Sequence, residues 1–138
     1  SEELQDFDVV TLLYAYGHLP SRAIRKKVLA TAHEMLRPGG QLIFDVFDVA
    51  DPSEWGPAAM RQFADQRLGP QGYEEGDVFY KRSKGDELAF MHYCDKARLE
   101  QVVFDAGFDS MRMTTIGYDH DSGQEAETGK LFVVAQKA

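Results

Sequence analysis

The chain has 138 residues and a net charge of −8, with 43% hydrophobic and 28% charged residues. Such a length is about one domain's worth, with the balance of a soluble globular protein. The acidic balance argues against nucleic-acid binding, whose footprint is basic, and favours a small-molecule partner. No apolar run approaches the 18 or so residues of a membrane span, and the acidic stretch Ser1 to Phe7 has no signal-peptide pattern.

A first strand is predicted over Phe7 to Leu13, where Val9, Val10, Leu12 and Leu13 make both faces apolar. That pattern suits a parallel strand covered on both sides. The loop Tyr14 to Pro20 follows, and Ser21 is a plausible helix N-cap. The helix runs to about Leu36, with Ile24, Val28, Ala32 and Met35 or Leu36 as its apolar stripe. Arg22, Arg25, Lys26 and Lys27 form the only dense basic cluster, predicted to be a solvated outer face. Pro38 ends the helix, and Gly39 and Gly40 turn the chain into a second strand, Gln41 to Phe47.

Beyond Val49 the pattern weakens. Pro57 to Arg67 reads as a short helix burying Met60 and Phe63, with loops around it. Gly69, Gly72 and Gly76 read as a plain loop. Asp77 to Cys94 gives two extended segments joined by a turn at Ser83 to Asp86. Cys94 is the sole cysteine, so no intrachain disulfide forms, which fits a reducing cytoplasmic setting. Asp95 caps a helix with Leu99, Val102, Val103 and Ala106 as its stripe, and Gly107 ends it. Strands at Ser110 to Tyr118 and Lys130 to Gln136 complete an antiparallel hairpin across an acidic loop. The whole reads as one α/β domain with no internal repeat.

The segments Phe7-Asp8-Val9-Val10, Tyr16-Gly17-His18-Leu19 and Leu36-Arg37-Pro38-Gly39-Gly40-Gln41-Leu42 together resemble class I S-adenosylmethionine-dependent methyltransferases. The closing stretch, Ala106-Gly107-Phe108 and then Leu131-Phe132-Val133-Val134-Ala135, fits the same family. The resemblance implies a Rossmann-like α/β sheet of parallel strands ending in an antiparallel hairpin. It implies strands four to seven of that sheet, as a single partial domain over residues 1–138 with a substrate-side insertion at about 50–94. The family's glycine-rich cofactor loop and its ribose-binding acid have no counterpart here. The expectation is therefore that an N-terminal half is supplied from elsewhere.

Ligands of open α/β sheets bind beyond the carboxyl ends of the parallel strands. The resemblance implies that Leu12, Leu13 and Tyr14 pass the methionine end of S-adenosylmethionine. Tyr14 and Tyr16 could face a sulfonium methyl or simply pack the loop. His18 either fixes the loop or serves as an acid–base group; with Tyr16 it is the only candidate for a catalytic part. Tyr16, Asp45, Asp48 and His92 are the candidates for substrate binding, against plain structural readings in which a carboxylate caps the next loop and His92 packs within a strand. Cys94 has no base-and-orienter set to make it a nucleophile. Asp119, His120 and Asp121 are adjacent in sequence and poorly suited to converge on one ion, so no metal site is assigned. His33 falls on the first helix, at its surface or rim.

The implied reaction is methyl transfer to an N, O or C nucleophile of a small molecule, which is mostly a matter of positioning. The alternative is a non-catalytic remnant acting as a binding or dimerisation module. The strand Phe7 to Leu13 would carry an open edge, so self-association, or docking of the absent half, is expected there.

Overall fold

A computed structural model of the chain describes residues 5–52, 55–81, 87–118 and 125–138. The first apolar run forms β1, Phe7–Leu12. Val10 and Leu12 pack against the main core, whereas Val9 and Leu13 are each 48% exposed. The apolar pattern predicts cover on both faces; among the described residues only one face is covered. The structural reason is that both helices packed on this sheet, described next, lie on the side of Val10 and Leu12.

Helix α1 spans Arg22–Met35, and the Ser21 hydroxyl accepts from the Ile24 amide at 3.1 Å. That bond satisfies one of the free donors of the first turn. The buried stripe is Arg25, Leu29 and Ala32, continued by Leu36 beyond the helix. Ala32 and Leu36 belong to the predicted stripe, whereas Arg25 and Leu29 take the places expected of Ile24 and Val28, and Ile24 is 42% exposed. Arg25 therefore departs from the solvated face expected of the basic cluster: it is 1% exposed.

The helix stops at Met35, and Leu36 is already extended. Strand β2 runs Leu36–Phe47, starting five residues before the predicted Gln41. Phe7 pairs with Leu36 and Val9 with Gln41, so residues 37–40 arch out opposite Asp8. A proline cannot donate to a ladder, so the Pro-Gly-Gly segment sits in this arch rather than in regular pairing.

β1 and β2 are parallel, with α1 as the crossover. Strand β5, Ser110–Tyr118, and strand β6, Glu125–Gln136, form the antiparallel hairpin. β6 inserts beside β2, also antiparallel, and the sheet order is β1-β2-β6-β5. The inserted strand supplies Leu131, Val133 and Ala135, which meet Leu42, Phe44 and Val46 of β2 on one face. Leu29 and Ala32 of α1 and Leu99 and Val103 of helix α3, Lys96–Asp105, cover that face. Asp95 caps α3 by accepting from the Ala97 and Arg98 amides at 2.9 and 3.2 Å.

Helix α2, Gly56–Asp65, and the antiparallel pair β3, Asp77–Lys81, and β4, Leu88–His92, build a second small core. Ala59, Val78 and Tyr93 are its buried members. The predicted Met60 is exposed instead, because the helix presents Ala59 to the pair. The turn expected at Ser83 to Asp86 and the triple Asp119 to Asp121 lie outside the described residues. Gly76 has φ of 97°, and a Cβ there would lie 2.0 Å from the Tyr93 carbonyl oxygen, so only glycine admits this approach.

A buried ionic cluster fastens this second core to α1. Arg25 Nη2 lies 3.4 Å from Asp77 Oδ1 and 3.7 Å from Glu74 Oε1, and Nη1 donates to the Leu19 carbonyl at 2.7 Å. His92 Nδ1 donates to the same Asp77 oxygen at 2.6 Å, and Nε2 is 3.3 Å from Glu74 Oε1. Arg22 closes on the other Glu74 oxygen at 3.3 Å. Removing one partner of such a cluster leaves a buried charge uncompensated, at a cost of about 3–5 kcal/mol. Arg25→Met should therefore lower the urea-unfolding free energy by about that amount. Exposed Lys26→Ala, one residue away, should change it by less than about 0.5 kcal/mol.

Candidate functional site

The carboxyl ends of β1 and β2 open into a small, half-open pocket. Tyr14, Ala15, Gly17, His18, Asp45, Val46, Phe47, Met91 and Lys130 line it. The loop after β1 makes one wall, the end of β2 the floor, β6 the opposite wall, and β4 contributes Met91.

Tyr14 sets the shape of the mouth. Its φ is 54°, a left-handed conformation that costs a non-glycine residue about 1–2 kcal/mol. The Tyr14 amide donates to Asp45 Oδ1 at 2.8 Å across 31 residues. A hydrogen bond to a charged acceptor contributes about 1.5–3 kcal/mol, enough to hold the strained backbone. The Tyr14 ring is thereby presented to solvent and is 74% exposed.

Asp45 is buried, and its second oxygen lies 3.4 Å from Lys130 Nζ. The same ammonium sits 3.4 Å from the centre of the Tyr14 ring and 5.2 Å from that of Phe47. Both lie within the reach of a cation–π attraction. One lysine thus joins the loop after β1, the end of β2 and the middle of β6.

The candidate residues do not all share this pocket. Tyr14, His18 and Asp45 meet at this pocket, with His18 exposed at its rim. Leu12 packs into the core and Leu13 is exposed on the opposite side of the strand. Tyr16 and His92 lie behind Gly17, in a smaller recess shared with Glu74, Tyr93 and Cys94. A Cβ on Gly17 would lie 3.0 Å from the Met91 sulfur and 3.1 Å from the His92 carbonyl, so this glycine lets β4 close on the loop. Asp48 is buried at the end of β2, where its side chain accepts from the Ala50 amide at 2.9 Å and so caps the following loop.

The chemistry of the recess is subdued. Burial, and then the neighbouring Cys94, push the Tyr16 phenol well above its usual range. Tyr16 packs on Phe44 with ring centres 5.1 Å apart, as a core side chain. Burial also pushes the Cys94 thiol up, against the pull of Arg25, so it stays protonated and unreactive. His33 packs edge-on against Phe108 at 5.0 Å, which places it at a helix–strand seam.

Lys130 and Met91 are pocket residues that sequence reasoning misses from outside the loop after β1 and the end of β2. Lys130 lies on a strand whose partner β2 is distant in sequence, and Met91 arrives through the packing of β4 on the loop after β1. The register pair Phe47↔Lys130 that brings Lys130 to the site exists only once β6 has entered beside β2.

No family model and no curated protein matches the sequence. Solved structures do match the fold. An S-adenosylmethionine-dependent methyltransferase from Methanosarcina mazei superposes on 99% of this chain with a TM-score of 0.70 at 18% identity. The chain has a class I methyltransferase-like fold.

A second neighbour, a possible histamine N-methyltransferase from Thermotoga maritima, gives a TM-score of 0.60 at 16% identity over 98% of this chain. A third, the complex of DhpI with SAM and HEP, gives 0.59 at 16% identity over 95%. This chain spans 63%, 59% and 50% of the three neighbours' lengths. Within the methyltransferase-like fold, the pocket lies where open α/β sheets bind their ligands.

Asp45→Ala should release the Tyr14 amide. Hydrogen exchange followed by NMR should then show at least a tenfold faster rate at Tyr14, while core amides such as that of Phe44 stay protected.

Proposed function

We propose that this chain forms the substrate-side part of an S-adenosylmethionine-dependent methyltransferase that acts on an N, O or C nucleophile of a small molecule. The reading rests on one observation: an open pocket at the carboxyl ends of the two parallel strands of a methyltransferase-like fold. The four-stranded sheet corresponds, in this reading, to strands four to seven of a Rossmann-like sheet, with residues 50–94 as an insertion on the substrate side.

Tyr14 contributes its backbone and ring face to the methionine end of the cofactor, next to Leu12 and Leu13. Asp45 orients the loop that carries Tyr14, and His18 at the rim contacts the acceptor. S-adenosylmethionine supplies an activated methyl group when bound. The chain's own residues hold the acceptor in line and exclude water from the apolar floor made by Val46 and Met91. Tyr16, Asp48 and His92 support the wall from behind, since each is buried and turned to other partners. The lone buried Cys94 supports a reducing, cytoplasmic setting, and no helix among the described residues is long and apolar enough to cross a membrane.

Among the described residues no glycine-rich loop follows a strand, and in this reading a complementing segment supplies the rest of the cofactor site. Calorimetric titration with S-adenosylmethionine should show weak or no binding by this chain alone. Binding and methyl transfer should appear once a complementing segment is supplied. Complementation that restores a seven-stranded sheet without cofactor binding would sink the enzyme reading.

A second reading, a non-catalytic binding or dimerisation module, is favoured by β1 itself. Among the described residues its only sheet neighbour is β2, and Phe7, Val9 and Leu13 are exposed along it. An apolar open edge invites pairing with another chain. Size-exclusion chromatography with light scattering should therefore show self-association that Val9→Lys abolishes; a monomer at all concentrations would exclude it.

A further inference from the structure

We propose that the corner formed by Tyr14, Phe47 and Asp45 is a cage for a small organic cation, and that the protein's own Lys130 occupies this cage in competition with the ligand. The Lys130 ammonium stands where a cationic ligand would stand. It lies 3.4 Å from the centre of one aromatic ring, 5.2 Å from that of another, and 3.4 Å from a carboxylate oxygen. Two ring faces and a buried carboxylate are the elements from which proteins build sites for methylated ammonium and sulfonium groups.

The cage is built rather than accidental. Its three groups come from the loop after β1 and from the end of β2, and the occupant comes from β6. The Tyr14 ring faces the ammonium only because its backbone is held left-handed by the bond to Asp45 Oδ1, while the other Asp45 oxygen faces the cation. The Asp45 side chain is 7% exposed and that of Lys130 16%, so the pair sits inside the protein rather than on its surface. A carboxylate at that depth needs a cation, and the cage keeps its charge balance when one cation replaces another.

Lys130 is suited to leave. A lysine ammonium is strongly hydrated and sits on a flexible four-carbon stem, so withdrawal to solvent restores its water shell. A methylated cation is weakly hydrated and offers its methyl groups to the ring faces. Beside the cage, Ala15, Gly17, Val46 and Met91 offer an apolar lining that is open to solvent, so the methyl groups take the space the lysine stem vacates. Lys130 then acts as a built-in competitor that lowers the apparent affinity by the fraction of cages it fills.

Two sources share this ligand chemistry, the sulfonium of a cofactor and the amine of a methyl acceptor. Both sources rest on the methyltransferase reading and the cation cage itself does not, so the test reads the cage first and then separates the two. Binding of tetramethylammonium is measured by calorimetry on the wild-type chain, Lys130→Ala, Lys130→Arg, and the double variant Tyr14→Leu/Lys130→Ala. Lys130→Ala should bind at least tenfold more tightly than wild type, Lys130→Arg should not, and the added Tyr14→Leu should remove the gain. Equal affinity in wild type and Lys130→Ala would overturn the cage.

The complemented protein is then titrated with S-adenosylmethionine and with its neutral thioether product. A ratio of the two affinities that rises in Lys130→Ala assigns the cage to the sulfonium; an unchanged ratio, with tetramethylammonium tightened, assigns it to the acceptor amine. If S-adenosylmethionine does not bind at all, the methyltransferase reading fails while the tetramethylammonium result stands. Wild-type NMR provides a check free of any folding defect in the variants. The Lys130 εCH2 protons, shielded by the Tyr14 ring, should move toward the free-lysine position as tetramethylammonium is added, and a fixed resonance would overturn the proposal.

Discussion

The Asp45 carboxylate lies within the protein at the carboxyl end of β2, where a charge costs several kcal/mol unless it is paired. Its two oxygens find two partners, the Tyr14 amide and the Lys130 ammonium. The first bond sets the conformation of the loop after β1. The second ties the C-terminal hairpin to the same point. The pocket exists because these constraints meet: a strand end, a strained loop and an inserted strand are held by one side chain. With Asp45 neutral or absent, the Tyr14 ring would have no reason to stand open over the pocket, since its left-handed backbone would lose its compensation.

The same logic operates behind Gly17. Arg25 is buried among Asp77, Glu74 and His92 and carries much of the attachment of the β3–β4 pair to α1. This attachment brings Met91 to the front pocket while His92 turns to the rear. Two adjacent residues of one strand thus serve two sites, as the alternation of side chains along a strand requires. The front pocket is apolar with one paired charge at its edge. The rear recess is ionic, saturated and chemically quiet.

Much of the fold is legible from periodicity and punctuation. Ser21 and Asp95 cap helices, Gly107 ends one, and the apolar runs at Phe7, Leu42 and Leu131 become strands, because each signal acts within a few residues of itself. Errors arise where a distant partner overrides the local pattern. Arg25 reads as solvated because its counter-charge, Asp77, is 52 residues away. The first half of the α1 stripe, Ile24 and Val28, reads one position early for the same reason, while Ala32 and Leu36 are buried as expected. β1 reads as covered on both faces because an apolar residue is equally apolar whether or not a helix lies over it.

By itself the sequence determined which segments are helices and strands, the parallel crossover from β1 to β2, and the end of the sheet at which the pocket opens. These follow from local sterics, capping and hydrophobic period, and they also carry the resemblance to methyltransferases. Only the tertiary structure decided which candidates share a pocket. It brought Tyr14, His18 and Asp45 together and sent Tyr16 and His92 to the other side of Gly17. It also delivered Lys130 from the far end of the chain to a carboxylate 85 residues earlier (130 − 45). The physical reason is that a buried charge selects its partner by distance in space, which strand order and register fix and no local pattern records.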